Sequence, residues 1–233
     1  MVSASARRCS PSSVASDRSV TVGEPGCSDL ARPRLTVLAG PSGVGKSSVV
    51  AEVVRRWPQL FVSVSVTTRP PRSRCGQRPD ENYHHVDRAT FAHMVEHGEF
   101  LEYAQYAGNC YGTPAAPVRE ALAAGRPTLL EIEVQGARQV RAVMPDALLV
   151  MLMPPSWEVL CERLASRGTE DLPGLERRLR VARDELDAVE EFDAAVVNDD
   201  VQRAAQELIA LIVGTGPPRP PNSPISDAPG DSE

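Results

Sequence analysis

Residues Gly40-Pro41-Ser42-Gly43-Val44-Gly45-Lys46-Ser47 fit the spacing G-x-x-x-x-G-K-[ST], a phosphate-binding loop. Glycines at such a loop let backbone N–H groups turn inward on an anion. A helix N-terminus behind it adds partial positive charge. Lys46 would reach the outer phosphates and Ser47 would ligate Mg²⁺. A chance match in a Gly-rich loop is the competing account, and the flanks speak against it. Residues 35–39 are apolar and read as a buried strand, and 48–54 read as the helix that follows.

Other side chains could serve a second phosphate. Arg69 and Arg72 lie on a Pro-stiffened stretch, with Tyr83 and Tyr111 on short strands further on. Arg offers a planar fork of donors suited to phosphate. Taken alone, the arginine pair fits a solvated basic loop better. The apolar run at 128–133 ends in Glu131 and Glu133, two apart and so expected on one strand face. An acid at such a strand end usually helps hold Mg²⁺ through water.

The elements that must position these groups alternate along the chain. Strands are expected at 35–39, 61–66, 83–86, 100–106, 128–133, 147–153 and 194–197. A hairpin turn at Gly108-Asn109 returns through Cys110-Tyr111-Gly112. Helices are expected at 88–97 with Asp87 as cap, 117–124, 137–143, 156–166 with Ser156 as cap, 175–189 and 201–213. This rhythm predicts an α/β fold, a parallel sheet with helices on both faces. Residues 67–113 break the rhythm and read as a small α+β insertion over the ligand edge of the sheet.

The chain has 233 residues and a net charge of −6, which argues against general nucleic-acid binding. No apolar run approaches the roughly 20 residues of a membrane helix. Five scattered cysteines suggest reduced thiols and a cytoplasmic setting. Residues 1–33, rich in Ser and Arg, and the Pro-rich 214–233 are expected to be disordered.

Several segments in one order resemble guanylate kinase, over about residues 35 to 213. Besides the phosphate loop they are 63–72 (SVSVTTRPPR), 100–104 (FLEYA), 108–113 (GNCYGT), 130–136 (LEIEVQG), 167–170 (RGTE) and 197–199 (VND). The resemblance implies a P-loop NTPase core at 34–66 and 114–213, a GMP-binding insertion at 67–113 and an Arg-containing lid at about 163–185. It implies GMP-phosphate contacts at Ser65, Arg69, Arg72, Tyr83 and Tyr111. It implies guanine contacts at Glu102 and Thr113, with Glu133 in support. Arg163, Arg167, Arg178 and also Arg180 resemble lid arginines that neutralise the transferring phosphoryl group, and Asn198 an adenine-side residue. Guanine offers two adjacent donors to the Glu102 carboxylate, and Thr113 could donate to its O6. One departure stands out: residues 73–82 form a longer loop than the family's usual Pro-Gly-Glu turn.

The implied reaction is phosphoryl transfer from MgATP to GMP or dGMP. The implied setting is a monomer or homo-oligomer with no nucleic acid or membrane partner. Two rivals use the same residues: a related kinase with another acceptor, such as a ribose phosphate, and a non-catalytic binding module. The intact Lys46 and Ser47 argue against the module.

Overall fold

The structure, a computed structural model, describes residues 34–71, 83–106, 108–166 and 172–215. The expectations for Arg72, Arg167, the loop 73–82, the tail 1–33 and residues 216–233 lie outside the described residues.

Strand β1 (Leu35–Ala39) is central to a five-stranded sheet. The other strands are β2 (Phe61–Val62), β7 (Thr128–Glu131), β8 (Leu148–Met153) and β9 (Ala194–Val197), in the order β2-β7-β1-β8-β9. Every pairing in this sheet is parallel. Parallel strands need crossover helices, which cover both faces and make the strands apolar throughout. All six residues of β8 are buried accordingly. Along β1, Leu38 joins one hydrophobic cluster, while Leu35, Val37 and Ala39 join the other. Helices α1 (Lys46–Arg56), α5 (Trp157–Ala165) and α7 (Val201–Val213) supply the first cluster. Helices α3 (Ala115–Ala123) and α4 (Val134–Val143) supply the second. The result is a three-layer α/β core.

A second sheet has the order β4-β3-β6-β5, from β3 (Ser65–Thr67), β4 (Tyr83–His85), β5 (Phe100–Tyr106) and β6 (Asn109–Pro114). Helix α2 (Arg88–Glu96) lies between β4 and β5, capped by the Asp87 side chain accepting from the Thr90 N–H. Helix α6 (Leu172–Asp187) precedes a 3₁₀ turn, Ala188–Glu191.

Four expectations need correction. The alternating run 61–66 is not one strand: Phe61 and Val62 pair with β7 at the edge of the large sheet, and Ser65 onward pairs in the small one. Alternation reports a half-buried strand without saying which sheet it enters. Glu133 is not on a strand with Glu131, because β7 ends at Glu131 and Glu133 is the N-cap residue of α4. Asn109 is already in β6, paired with Tyr106, so the turn precedes it. Helices α3 and α4 start earlier than expected, at Ala115 and Val134.

Candidate active site

The phosphate loop leaves the C-terminal end of β1, where ligands bind in open α/β sheets. Gly45 is the N-cap residue of α1 with φ 99°, a left-handed conformation, and a Cβ there would run into the Asn198 amide. Gly40 has φ 148°, and its Cβ would meet the Leu152 carbonyl at 2.5 Å. No side chain caps α1. The N-terminal end of such a helix favours an anion.

A cavity of about 850 Å³ opens against this loop. One wall carries Pro41, Ser42, Gly43, Gly45, Lys46 and Ser47. The facing wall, from the small sheet, carries Ser65, Arg69, Tyr83, Glu102 and Tyr111. Glu131, Glu133 and Gly136 lie between them, and α6 adds Gly174, Arg177, Arg178 and Val181. Residues scattered along the chain are thereby brought to one space.

Lys46 Nζ donates to the Gly40 carbonyl at 2.5 Å, which holds its ammonium over the loop. Ser47 Oγ donates to Glu131 Oε1 at 2.6 Å. Arg178 Nη2 donates to Ser42 Oγ at 2.7 Å and ties α6 to the loop. Across the cavity the Arg69 guanidinium stacks over the Tyr83 ring at 5.0 Å, and Tyr83 meets Tyr111 edge-on at 5.8 Å. Register explains this grouping: Ser65 pairs with Tyr83, and Thr67 with Tyr111. His85 Nδ1 donates to the Arg69 carbonyl at 2.7 Å, anchoring that stretch.

Glu102 is 5% exposed and Thr113 fully buried. The two are register partners beside a β-bulge, and Thr113 Oγ1 donates to Glu102 Oε1 at 2.5 Å. Burial pushes the Glu102 carboxyl up to about 7; the Thr113 hydrogen bonds oppose this and the Glu133 charge adds to it. Burial also raises Glu133, against the pull of the Lys46 ammonium.

Three expected placements differ. Arg163 is absent from the cavity lining. Its Nη1 donates to Val44 O at 3.1 Å and its Nη2 to Asn198 O at 3.2 Å, so it braces the back of the loop. Asn198 is 3% exposed and gives its Nδ2 hydrogen to Val44 O at 2.7 Å, again behind the loop. Thr113 has one hydroxyl proton, and in this arrangement Glu102 receives it, not a base O6.

Sequence reasoning missed Glu185. It lies on α6, seven residues (185 − 178) from Arg178 and so on nearly the same helix face. Burial, with the Glu133 charge, pushes its carboxyl up to about 7, while the Lys46 ammonium and the Ser42 N–H favour the anion. Helix α6 thus brings an acid as well as Arg178 to the loop. An exposed-looking Arg/Glu mixture gave no signal of which charge turns inward.

A parallel sheet with a phosphate loop at its switch point, faced by arginines, tyrosines and a buried carboxylate, defines a P-loop phosphotransferase with two subsites. Comparison with known proteins narrows this. The guanylate kinase family model matches residues 32–214. The guanylate kinase of Thermobifida fusca (strain YX) is 58% identical over 77% of this chain and 90% of its own. That of Frankia casuarinae is 56% identical over 78% and 97%. The crystal structure of guanylate kinase from Anaplasma phagocytophilum superposes with a TM-score of 0.63 at 30% identity, covering 79% of this chain and 87% of that one. The chain belongs to the guanylate kinase family, ATP-dependent nucleoside monophosphate kinases that phosphorylate GMP. Among the described residues no helix is long and apolar enough to cross a membrane.

Proposed function

We propose the following division of labour for the transfer of the γ-phosphoryl group of ATP to GMP. Lys46 and the loop N–H groups hold the donor phosphates. Arg69, Arg72, Tyr83, Tyr111 and Ser65 hold the acceptor phosphate. Glu102 reads the guanine N1–H and 2-amino donors, with Thr113 fixing its orientation and Glu133 beside it. Arg178 and Arg167 offset charge at the transferring group, and Arg163 and Asn198 hold the loop that carries the donor. A phosphate oxygen of GMP attacks the γ-phosphorus in line as the bond to the ADP oxygen breaks. This transfer needs no covalent enzyme intermediate, so positioning and charge neutralisation do the catalysis.

Ser47 and Glu131 present a hydroxyl and a carboxylate oxygen to the cavity, in hydrogen-bond contact. Such hard oxygen donors, few in number, fit Mg²⁺, which keeps several waters and shares phosphate oxygens. Bound there, the ion would neutralise phosphate charge.

The observation that carries the acceptor assignment is Glu102, a buried carboxylate fixed by Thr113 and facing the loop across one cavity. Adenine lacks the adjacent donor pair and would leave the acid unpaired, at a cost of about 1–3 kcal/mol. The test is a panel of GMP, dGMP, AMP, UMP and ribose 1,5-bisphosphate with MgATP. GMP and dGMP should be used well and the others poorly. Lys46→Ala should lower kcat by about a hundredfold or more with its melting temperature near wild type. Wild-type turnover in a coupled ADP-release assay would remove Lys46 from the mechanism.

A further inference from the structure

Gly136 is the third residue of α4, and its φ is not in the left-handed region. The backbone therefore does not require glycine there. Alanine is the better helix former, so an interior helical glycine calls for another reason. The reason is steric. A Cβ on Gly136 would lie 2.6 Å from Glu102 Oε2 and 3.0 Å from Glu102 Cδ. The next neighbour, Ile132 Cδ1, is 3.3 Å away. Glu102 has no easy retreat: it is 5% exposed, and its other oxygen is held by Thr113 at 2.5 Å.

We propose that Gly136 is a specificity-determining position for the acceptor, because the missing side chain sets where the Glu102 carboxylate sits. Thr113 fixes Oε1 from one side and the bare Cα of Gly136 receives Oε2 from the other. Together they hold the carboxylate plane in one orientation, and a planar acceptor pair is what two adjacent base donors need. Gly136 also lines the cavity, so any group added there competes with the base for the same space. The first turn of α4 lies beside the acid, and its partial positive charge favours the ionised form that accepts both donors. Gly136 acts through Glu102 and touches no reacting atom, so it is a positioning residue.

This inference rests on the reading of Glu102 as the guanine contact, and a double-mutant cycle separates the two. Steady-state constants are measured for wild type, Gly136→Ala, Glu102→Asp and the double variant, with GMP and AMP as acceptors. Gly136→Ala should raise KM for GMP at least tenfold and lower GMP-over-AMP preference by a similar factor, with KM for ATP within twofold of wild type. Glu102→Asp shortens the acid by one methylene and should itself weaken GMP use. In that background the same alanine should change GMP kcat/KM less than twofold, because the atom it displaces has withdrawn.

An equal loss from the alanine in both backgrounds would overturn the proposal and assign Gly136 to packing against Ile132. So would wild-type GMP constants in Gly136→Ala, or a fall in melting temperature in both backgrounds. If Glu102→Gln leaves GMP-over-AMP preference unchanged, the guanine assignment itself fails, and that result is independent of Gly136.

Discussion

Glu102 is the residue proposed to read guanine, and its carboxyl is pushed up to about 7 by burial. Guanine donors need the ionised acid, so KM for GMP should fall as pH rises through about 7. From pH 6 to 8 the ionised fraction changes about tenfold. The phosphate of GMP titrates nearby, and Glu102→Gln reports that background. A pH dependence identical in wild type and Glu102→Gln would show that the acid does not titrate in this range. The same group is linked to stability in the opposite sense. Its folded pKa lies above its unfolded one, so its contribution is fully present below about 4.5 and is lost as pH rises through about 7. Glu185, also pushed up to about 7, behaves alike. Each accounts for at most on the order of 3 kcal/mol. Lowered acids such as Asp87 and Glu191 lose their stabilisation only at more acid pH. The ligand-free protein should therefore melt higher at pH 5.5 than at pH 8. Glu102→Gln combined with Glu185→Gln should flatten that slope in a thermal scan.

At the scale of elements, the phosphate loop is held from behind. Val44 O accepts from both Asn198 Nδ2 and Arg163 Nη1, which tie the loop to the end of β9 and to α5. Asn198→Ala leaves part of this buried network unpaired and should cost about 1–3 kcal/mol in denaturant unfolding. Its kinetic effect should appear in KM for ATP with KM for GMP little changed; a change confined to GMP would contradict the bracing role. The loop itself was legible in the sequence, because glycine spacing, an apolar strand before it and a helix after it are local signals. So were the Asp87 and Ser156 caps, each of which accepts a backbone hydrogen in the first turn of its helix. The bracing was not legible. Arg163 and Val44 are 119 residues apart, and nothing local says that a helix arginine points down onto a carbonyl and not up at a phosphate. The split of 61–66 was hidden for a related reason, since one alternating pattern serves either sheet. Glu185 was hidden because a charged helix face does not announce which acid turns inward.

At the scale of the molecule, the phosphate loop and the residues proposed to hold the acceptor belong to different sheets that share one cavity. The alternation of strands and helices, and its break after β3, made this division readable. How the parts touch was not, because the contacts are long-range. The small sheet docks on the core where β5 meets α4: Gln139 Nε2 donates to Tyr103 O at 2.8 Å, and Tyr103 N donates to Gln139 Oε1 at 3.1 Å. Helix α6 touches the loop through Arg178 and Ser42. Apolar contacts join both flanks to the core as well: Leu101 of β5 is buried in the cluster with α3 and α4, and Ala182 of α6 in the cluster with α1, α5 and α7. Two nucleotides side by side bring phosphate charges together, which by itself makes binding antagonistic. Arg69 from one flank and Arg178, already against the loop, from the other would offset that charge, the more so if the flanks close on the ligands. Closure would also exclude water from the transferring group. The two effects differ in sign, so thermal shifts decide between them. Each ligand alone stabilises by RT ln(1 + [L]/Kd), about 2.7 kcal/mol at a hundredfold excess over Kd. GMP with a non-hydrolysable ATP analogue should stabilise by more than the sum of the single shifts. Gln139→Ala, which removes both hydrogen bonds to Tyr103, should shrink that excess while leaving the shift with the ATP analogue alone near wild type. A combined shift at or below the sum would mean that phosphate repulsion prevails and that the two subsites do not close together.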